Sequence, residues 1–526
     1  MLRPSPLELP SLYADRLGME YSTIVSLVHK KKLGQFFTPH GVATFIASNV
    51  SIESVRKIKI LDPGCGIGIL SCALIEKIII NNLKIKEIEL LAFETDIELI
   101  PYAEECLNYL RVWLKNKKID FKHIIAKNDF ILSNSKILTN QQEDENDLFD
   151  VVITNPPYFK INKEDPRAIE AKPIIHGQTN IYSIFLMLSA SLLKTNGKLA
   201  FITPRSFASG TYFSLFRERF FQAISIDFIH LFGSRKDAFK RDKVLQESII
   251  ICGTKKNRNE VIPTSNSVTI VSTSNGMADQ LSSIERQYKS DELIDFSSKN
   301  KILYIPVSNF EDEVIKVFKS WKNNLTSLGY DVSTGPVVAY RSKGDISSEK
   351  NGRTVPFIWI HNISKMNLSW PINRAEKGQY IKLNKHTLSK LLPNRNYVFV
   401  KRFSTKDDES RLIAMPYFSE RFSHVSYIGL ENHLNYIYRF LDNLDEVESF
   451  GIAGLLNSKL FDTYFRTFNG NTNVSVSDLK NIPFPDKEII ISLGKILKNQ
   501  NIKNVNQKFI DKHVNLLLNL KISNHE

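Results

Sequence analysis

The segment Asp150-Val-Val-Ile-Thr-Asn-Pro-Pro-Tyr-Phe-Lys-Ile161 runs β-branched residues into an amide, two prolines and an aromatic ring. The apolar run reads as a buried strand. Asn155, Pro156, Pro157 and Tyr158 therefore stand in a rigid loop at its end. Such a loop can bind a planar amino group, because the Asn155 side-chain oxygen and the Pro156 carbonyl can each accept one N–H. An amine conjugated to an aromatic ring is a poor nucleophile. Holding both of its hydrogens pulls the nitrogen toward tetrahedral geometry and aims its lone pair at an electrophile. Proline fixes the acceptors in advance, and Tyr158 offers a ring on which a base can stack. An in-line displacement on a sulfonium methyl needs alignment and a usable lone pair, without a catalytic cysteine, metal or strong base.

Upstream lies a second constellation. Ile58-Lys-Ile-Leu-Asp-Pro-Gly-Cys-Gly-Ile-Gly68 places Asp62, Gly64, Gly66 and Gly68 between a strand and a helix. Glycines there let backbone approach a ligand closely, and a helix N-terminus supplies oriented N–H groups. A glycine turn alone is compatible with a dinucleotide site or with a plain tight connection. In Leu91-Ala-Phe-Glu-Thr-Asp96, at the end of the next strand, Glu94 can accept both hydroxyls of a ribose. Asp96 fits a solvated helix-capping carboxylate better. Asn128-Asp-Phe130, after a third strand, offers Asp129 as acceptor for an adenine amino group and the Phe130 ring for its face. Three strand ends thus converge on one crevice, and the Asn155 loop arrives at the same edge.

The elements that must position these residues are legible as periodicity. From about 57 to 255, strand-like and helix-like stretches alternate, which predicts an α/β domain with a mostly parallel sheet. Strands are expected at Lys59 to Asp62, Ile88 to Phe93, His123 to Ala126, Asp150 to Thr154, Lys198 to Thr203, Ile224 to Leu231 and Glu247 to Cys252. Helices are expected at Gly68 to Asn81 and Ile181 to Lys194. Ser133 to Leu148 reads as a polar surface loop. Residues 254 to 300, rich in Ser, Thr and Asn, read as a strand-poor connection, and a second domain starts near Lys301 with Trp321, Trp359 and Trp370.

At 526 residues and 42% hydrophobic content the chain can bury cores for two or three domains. No apolar run approaches a membrane span, and the N-terminus lacks the core of a secretory signal, which places the protein in the cytoplasm. Cys65, Cys72, Cys106 and Cys252 lack CxxC or zinc-finger spacing, so no metal and no disulfide framework is expected. Formal net charge is +13, with the larger share of the excess in the second half. That is compatible with a polyanionic partner.

The ordered set GQFFTP (Gly34 to Pro39), DPGCGIG, FETD, NDF, NPPY and TNIY (Thr179 to Tyr182) resembles the gamma-class DNA adenine-N6 methyltransferases, the TaqI-like enzymes of restriction-modification systems. NYVFVKRFSTKDD (Asn396 to Asp408), ENHLNY (Glu431 to Tyr436) and NGNTNVSVSDLKNIPFP (Asn469 to Pro485) resemble the BsuBI and PstI type, so the likeness spans nearly the whole chain. It implies a Rossmann-like, seven-stranded methyltransferase domain over 1–255 that binds S-adenosyl-L-methionine. A connection over 256–300, an α+β target-recognition domain over 301–490 and a helical tail over 491–526 would follow. The resemblance puts Thr38 and Pro39 at the methionine end of the cofactor, Asp62, Gly64 and Gly66 at its backbone cradle, Glu94 at the ribose, and Asp129 with Phe130 at the adenine. Asn155, Pro156, Pro157 and Tyr158 would be catalytic, with Phe239 as the second ring on the target base.

Double-stranded DNA is the implied partner. An adenine inside a duplex cannot reach such a crevice, so it must be rotated out. Arg235, Lys236, Lys240, Arg241, Arg341, Lys401, Arg402 and Arg466 are phosphate or base-edge candidates. Similarity to the PstI type points to CTGCAG. A cognate restriction endonuclease would be a separate chain, and the enzyme would act as a monomer. NPPY loops also serve methyltransferases of RNA bases and of protein glutamine. A non-catalytic DNA-binding protein is a further alternative, countered by intact Asn155 and Glu94. A nicotinamide-dependent oxidoreductase leaves the loop after the fourth strand unexplained.

Overall fold

A computed structural model describes the chain except residues 1, 6, 83, 140–146, 176–179, 234–246, 258–266, 275–282, 373–376, 406, 501–504 and 521–526. It divides into two units, Met1–Val307 and Ser308–Glu526.

The strands of the first unit are β1 (Lys57–Asp62), β2 (Glu87–Phe93), β3 (Asp120–Ala126), β4 (Phe149–Thr154), β5 (Leu193–Pro204), β6 (Ile224–Phe232), β7 (Ser248–Lys255), β8 (Val268–Ser274) and β9 (Ile284–Lys289). They form one sheet in the order β3-β2-β1-β4-β5-β7-β6-β8-β9. Pairing is parallel from β3 through β5 and again between β6 and β8, while β7 runs antiparallel to β5 and β6 and β9 antiparallel to β8. Strand order reverses between β1 and β4. Connections leave the sheet there toward opposite faces, and a crevice opens beyond the carboxyl ends of the strands.

Two structural facts correct the expected seven strands and the strand-poor connection over 256–300. Residues 268–274 and 284–289 add two strands, and the first unit runs to Val307. In β9 only Tyr288 is buried, so this edge strand carries no alternating apolar signal. Of the expected polar loop Ser133 to Leu148, residues 140–146 lie outside the described residues, and Ser135–Leu138 forms a 3-10 turn.

The helices of this unit among the described residues are α1 (Pro10–Ile24), α2 (Leu27–Leu33), α3 (His40–Ser48), α4 (Ile69–Asn81), α5 (Ile100–Lys115), α6 (Phe130–Asn134), α7 (Pro166–Glu170), α8 (Ile181–Ser191), α9 (Ser214–Ala223) and α10 (Ser290–Leu293). Alternate β4 residues face opposite layers. Val151 and Ile153 pack with α1, α3, α4 and α5, while Val152 packs with α8 and α9. The α8 residues from Ile181 to Ala190 are all buried, as an apolar helix covering a parallel sheet requires. Glu76 of α4 accepts the Ser11 N–H and hydroxyl, both at 2.7 Å, and so docks α1 onto the sheet layer.

The second unit is α+β. Its strands at Asp331–Thr334, Leu434–Tyr438, Tyr397–Lys401 and Ala414–Tyr417 form an antiparallel sheet in that order, beside a second sheet of five short strands. Its helices are α11 (Asn309–Ser320), α12 (Glu446–Asn457), α13 (Lys459–Phe468), α14 (Val476–Asn481), α15 (Lys487–Lys498) and α16 (Gln507–Leu517). The expected tail over 491–526 is corrected here too, since α15 belongs to the core of this unit. Ile490, Leu493 and Leu497 are buried, and a Cβ on Gly451 would lie 2.0 Å from the Ile490 carbonyl oxygen, so α12 and α15 cross at glycine distance.

Candidate active site

The site is built from the ends of β1, β2, β3 and β4. After β1, Gly66 and Gly68 adopt φ of 57° and 91°, conformations that favour glycine, and the Cys65 N–H donates to the Phe93 carbonyl at 2.9 Å. The loop is thereby pinned to the end of β2. Asp62 is fully buried beneath the loop and does not line the cleft, and its carboxylate accepts the Ser71 hydroxyl at 2.7 Å. Burial pushes its pKa up to about 7, against the Ser71 hydroxyl and the Gly64 amide.

Glu94 follows β2 directly. Its carboxylate accepts N–H groups from Gly66 at 3.1 Å and from Thr95 and Asp96 at 2.8 Å. Desolvation outweighs these bonds and lifts its pKa to about 7. Asp129 caps α6 by accepting the Ile131 and Leu132 amides. Its second oxygen lies 3.7 Å from Arg167. The Phe130 ring is buried between Phe93 and Phe185, at 5.2 and 5.1 Å.

Asn155 leaves the end of β4 held on two sides. Its Nδ2 donates to the Phe36 carbonyl at 2.8 Å and to the Thr38 hydroxyl at 3.0 Å, while its Oδ1 accepts the Tyr158 hydroxyl. The Ile202 carbonyl, 2.9 Å from the Tyr158 hydroxyl, is an alternative acceptor for its single hydrogen, and the Tyr158 ring lies 5.6 Å from Phe36 at 22°, nearly parallel. Pro156 is buried and Pro157 lines the cleft.

Glu94, Asp129, Phe130 and Asn155 thus share one cleft enclosing about 820 Å³, open mouth included, with Gly64 and Gly66 on its floor. Thr38 is buried behind Asn155 and does not line it, and Pro39 is the N-cap of α3. Phe239, Arg235, Lys236, Lys240 and Arg241 lie outside the described residues.

Gly34 to Phe37 were named in the sequence only as part of the GQFFTP motif, and Leu33 and Arg167 not at all. Leu33 to Phe37 line one side of the cleft, and Arg167 another. Arg167 pairs with Asp165 at 2.6 Å and lies over the Phe159 ring. No local pattern marks it. Asp96, expected as a solvated cap, is instead buried and fastens this cover. Its Oδ2 accepts from Tyr21 at 2.7 Å and Gln35 at 2.7 Å and lies 3.0 Å from His29 Nε2. Burial alone would raise its pKa, but bonds from His29, Gln35 and Tyr21 hold it below the ordinary carboxylate range.

Gly34 shows how closely the cover meets the Asn155 loop. At φ +65° an added Cβ would sit 2.8 Å from Phe159 Cδ1 and 3.0 Å from the Tyr158 nitrogen. Gly34→Ala is therefore expected to cost about 1–3 kcal/mol of stability and to displace the loop. A thermal melt beside a turnover assay checks this. Unchanged values in both would mean that the contact is slack.

In the second unit, three quoted segments come together. The Val474 N–H donates to the Arg402 carbonyl at 2.8 Å, Ser404 to Thr472 at 3.0 Å, and Arg402 to His433 at 3.0 Å. Buried Arg411 donates to Asn469 Oδ1 at 3.0 Å. Of the basic candidates, Arg341 is exposed beside exposed Tyr340, and Lys401 is half-buried. Arg402 donates to the Asn432 carbonyl at 3.1 Å. Arg466 is engaged by Asp462 and by the Asp408 carbonyl, both at 2.7 Å.

The chain is 33% identical over 495 residues to the type II methyltransferase M.BsuBI of Bacillus subtilis, covering 94% of this chain and 95% of that one. The chain belongs to the type II methyltransferases. M.PstI of Providencia stuartii is 31% identical over 98% of both chains. M.AccI of Acinetobacter calcoaceticus is 28% identical over 45% of this chain and 40% of its own. The Eco57I restriction-modification methylase family matches residues 77–239, a stretch that includes Glu94, Asp129 and the whole Asn155 loop.

Proposed function

We propose that this type II methyltransferase transfers a methyl group from S-adenosylmethionine to the N6 amino group of an adenine rotated out of double-stranded DNA. The adenine would lie in a short recognition sequence, and its methylation would protect the DNA from a restriction endonuclease carried on a separate chain. One observation carries the reading: Asn155 lines the cleft that holds Glu94, Asp129 and the glycine loop, with its Nδ2 held by the Phe36 carbonyl and the Thr38 hydroxyl and its Oδ1 left as the acceptor end, where it takes the Tyr158 hydroxyl.

In this reading the Gly64 and Gly66 backbone cradles the cofactor, Glu94 takes the ribose hydroxyls, and Asp129 with Phe130 takes the adenine. When bound, the cofactor supplies a sulfonium methyl whose carbon–sulfur bond breaks as the new carbon–nitrogen bond forms, sulfur keeping the electron pair. Asn155 Oδ1 and the Pro156 carbonyl accept the two N–H groups of the target amine and orient its lone pair. Tyr158, backed by Phe36, stacks on the base. The amine proton leaves to solvent after transfer.

Incubation with labelled S-adenosylmethionine and either DNA or RNA, followed by mapping of the modified base, tests the proposal. Label on adenine N6 in DNA is the expected result. Label confined to RNA, cytosine or protein would reject it.

A pH dependence follows from Glu94. Its pKa is raised to about 7, so the carboxylate gains a proton as pH falls below that value. A protonated carboxyl cannot accept two hydroxyls as the anion does. Cofactor affinity is expected to fall by up to about tenfold per pH unit below pH 7 and to level off above it. Calorimetric titration across pH 5.5–8.5 checks this (about three units, spanning the titration). Glu94→Gln should bind weakly and lose most of the slope, separating Glu94 from Asp62.

A further inference from the structure

We propose that Thr38 is a positioning residue: with the Phe36 carbonyl it locks the Asn155 amide so that only its oxygen can face the amine. This deepens the proposed adenine-N6 reading and rests on it. Thr38 would otherwise be assigned to the cofactor, but its hydroxyl is buried against Asn155 and is absent from the cleft lining.

The two ends of an asparagine amide have nearly the same shape and opposite hydrogen-bonding character. Rotating the amide by half a turn would present N–H groups to the target amine, donor against donor, and set Oδ1 against the Phe36 carbonyl, acceptor against acceptor. At 2.8 Å that carbonyl fixes which end points inward. Thr38 Oγ1, at 3.0 Å, takes the remaining N–H, so neither amide hydrogen is left to pull the group round. The Tyr158 hydroxyl on Oδ1 agrees with the same orientation, and its second acceptor, the Ile202 carbonyl, lets it release Oδ1. Gly34 to Pro39 therefore serves the catalytic loop as well as the cofactor cleft.

The lock also accounts for an amide at this position. A carboxylate would face the Phe36 carbonyl with no hydrogen to give, and only its protonated form restores that bond.

Thr38→Val keeps the shape and removes the acceptor, while Thr38→Ser restores the hydroxyl. The valine variant is expected to lose about 10- to 100-fold in single-turnover rate, with S-adenosylmethionine Kd within about twofold, and the serine variant to recover most of the rate. Cofactor binding at the wild-type Kd shows that the variant is folded, and Thr38→Ala substitutes if valine is not tolerated. Loss of cofactor affinity with unchanged rate, or a serine variant as slow as valine, would overturn the inference. A second measurement uses Asn155→Asp, whose rate relative to wild type should rise as pH is lowered. A flat or rising relative rate toward high pH contradicts the lock. If the wild type binds cofactor but methylates no DNA, the adenine reading fails; if it methylates and Thr38→Val matches it, only the lock fails.

Discussion

Asn155→Ala is expected to lower the rate of methyl transfer by about 100- to 1000-fold while leaving cofactor affinity within about threefold. The asymmetry follows from where the side chain stands. Its oxygen is the one side-chain acceptor that this reading aims at the amine, and the Pro156 carbonyl left behind can hold only one of the two N–H groups. The glycine loop, Glu94 and Asp129 rest on β1, β2 and β3, and none depends on Asn155 for its position. The variant leaves the Phe36 carbonyl and the Thr38 hydroxyl without their shared donor, costing about 1 kcal/mol of local stability. Single-turnover transfer and calorimetric cofactor titration on the same preparation separate the effects. Parallel loss of binding and rate would place Asn155 among the cofactor ligands.

Asp96→Ala should have the largest effect on stability. The carboxylate gathers the Tyr21 hydroxyl, the Gln35 amide, the His29 ring and the Glu98 N–H. Removing it strands several of these donors where burial denies them full access to water. Breaking a buried charge-assisted network of this kind costs about 3–5 kcal/mol. For a unit of this size that corresponds to a melting point lower by about 5–8 °C. Gln35 belongs to the segment lining the cleft, so cofactor affinity should weaken together with stability. Asp96→Asn, which retains an acceptor, should recover part of both. An alanine variant melting within a degree or so of wild type would show that Asp96 does not hold the cover.

Much of the site was legible because its signals are local. A strand is announced over about six residues by β-branched and alternating side chains. Each cluster that follows, the glycine turn, Glu94, Asp129 and the Asn155 loop, sits within a few residues of its strand end. The order of these strands then brings the clusters together at the switch point between β1 and β4. Strand β9 was not legible, because an edge strand with one buried residue has no face to pattern. Helix α15 read as a tail because its partner α12 lies some forty residues earlier, and the glycines that permit the close crossing look like ordinary helix interruptions.

The sequence by itself determined which residue types stand at the strand ends, and hence that the Asn155 loop, the glycine turn and Glu94 lie along one edge of one sheet. Only the tertiary structure decided that Phe36 and Thr38, more than a hundred residues from Asn155, set the direction of its amide. It alone turned Asp96 from an apparent cap into the fastening of the cleft's cover. The physical reason is reach: periodicity and turn chemistry are written over a few neighbouring residues. A hydrogen bond between distant segments exists only once the chain's topology has laid one against the other.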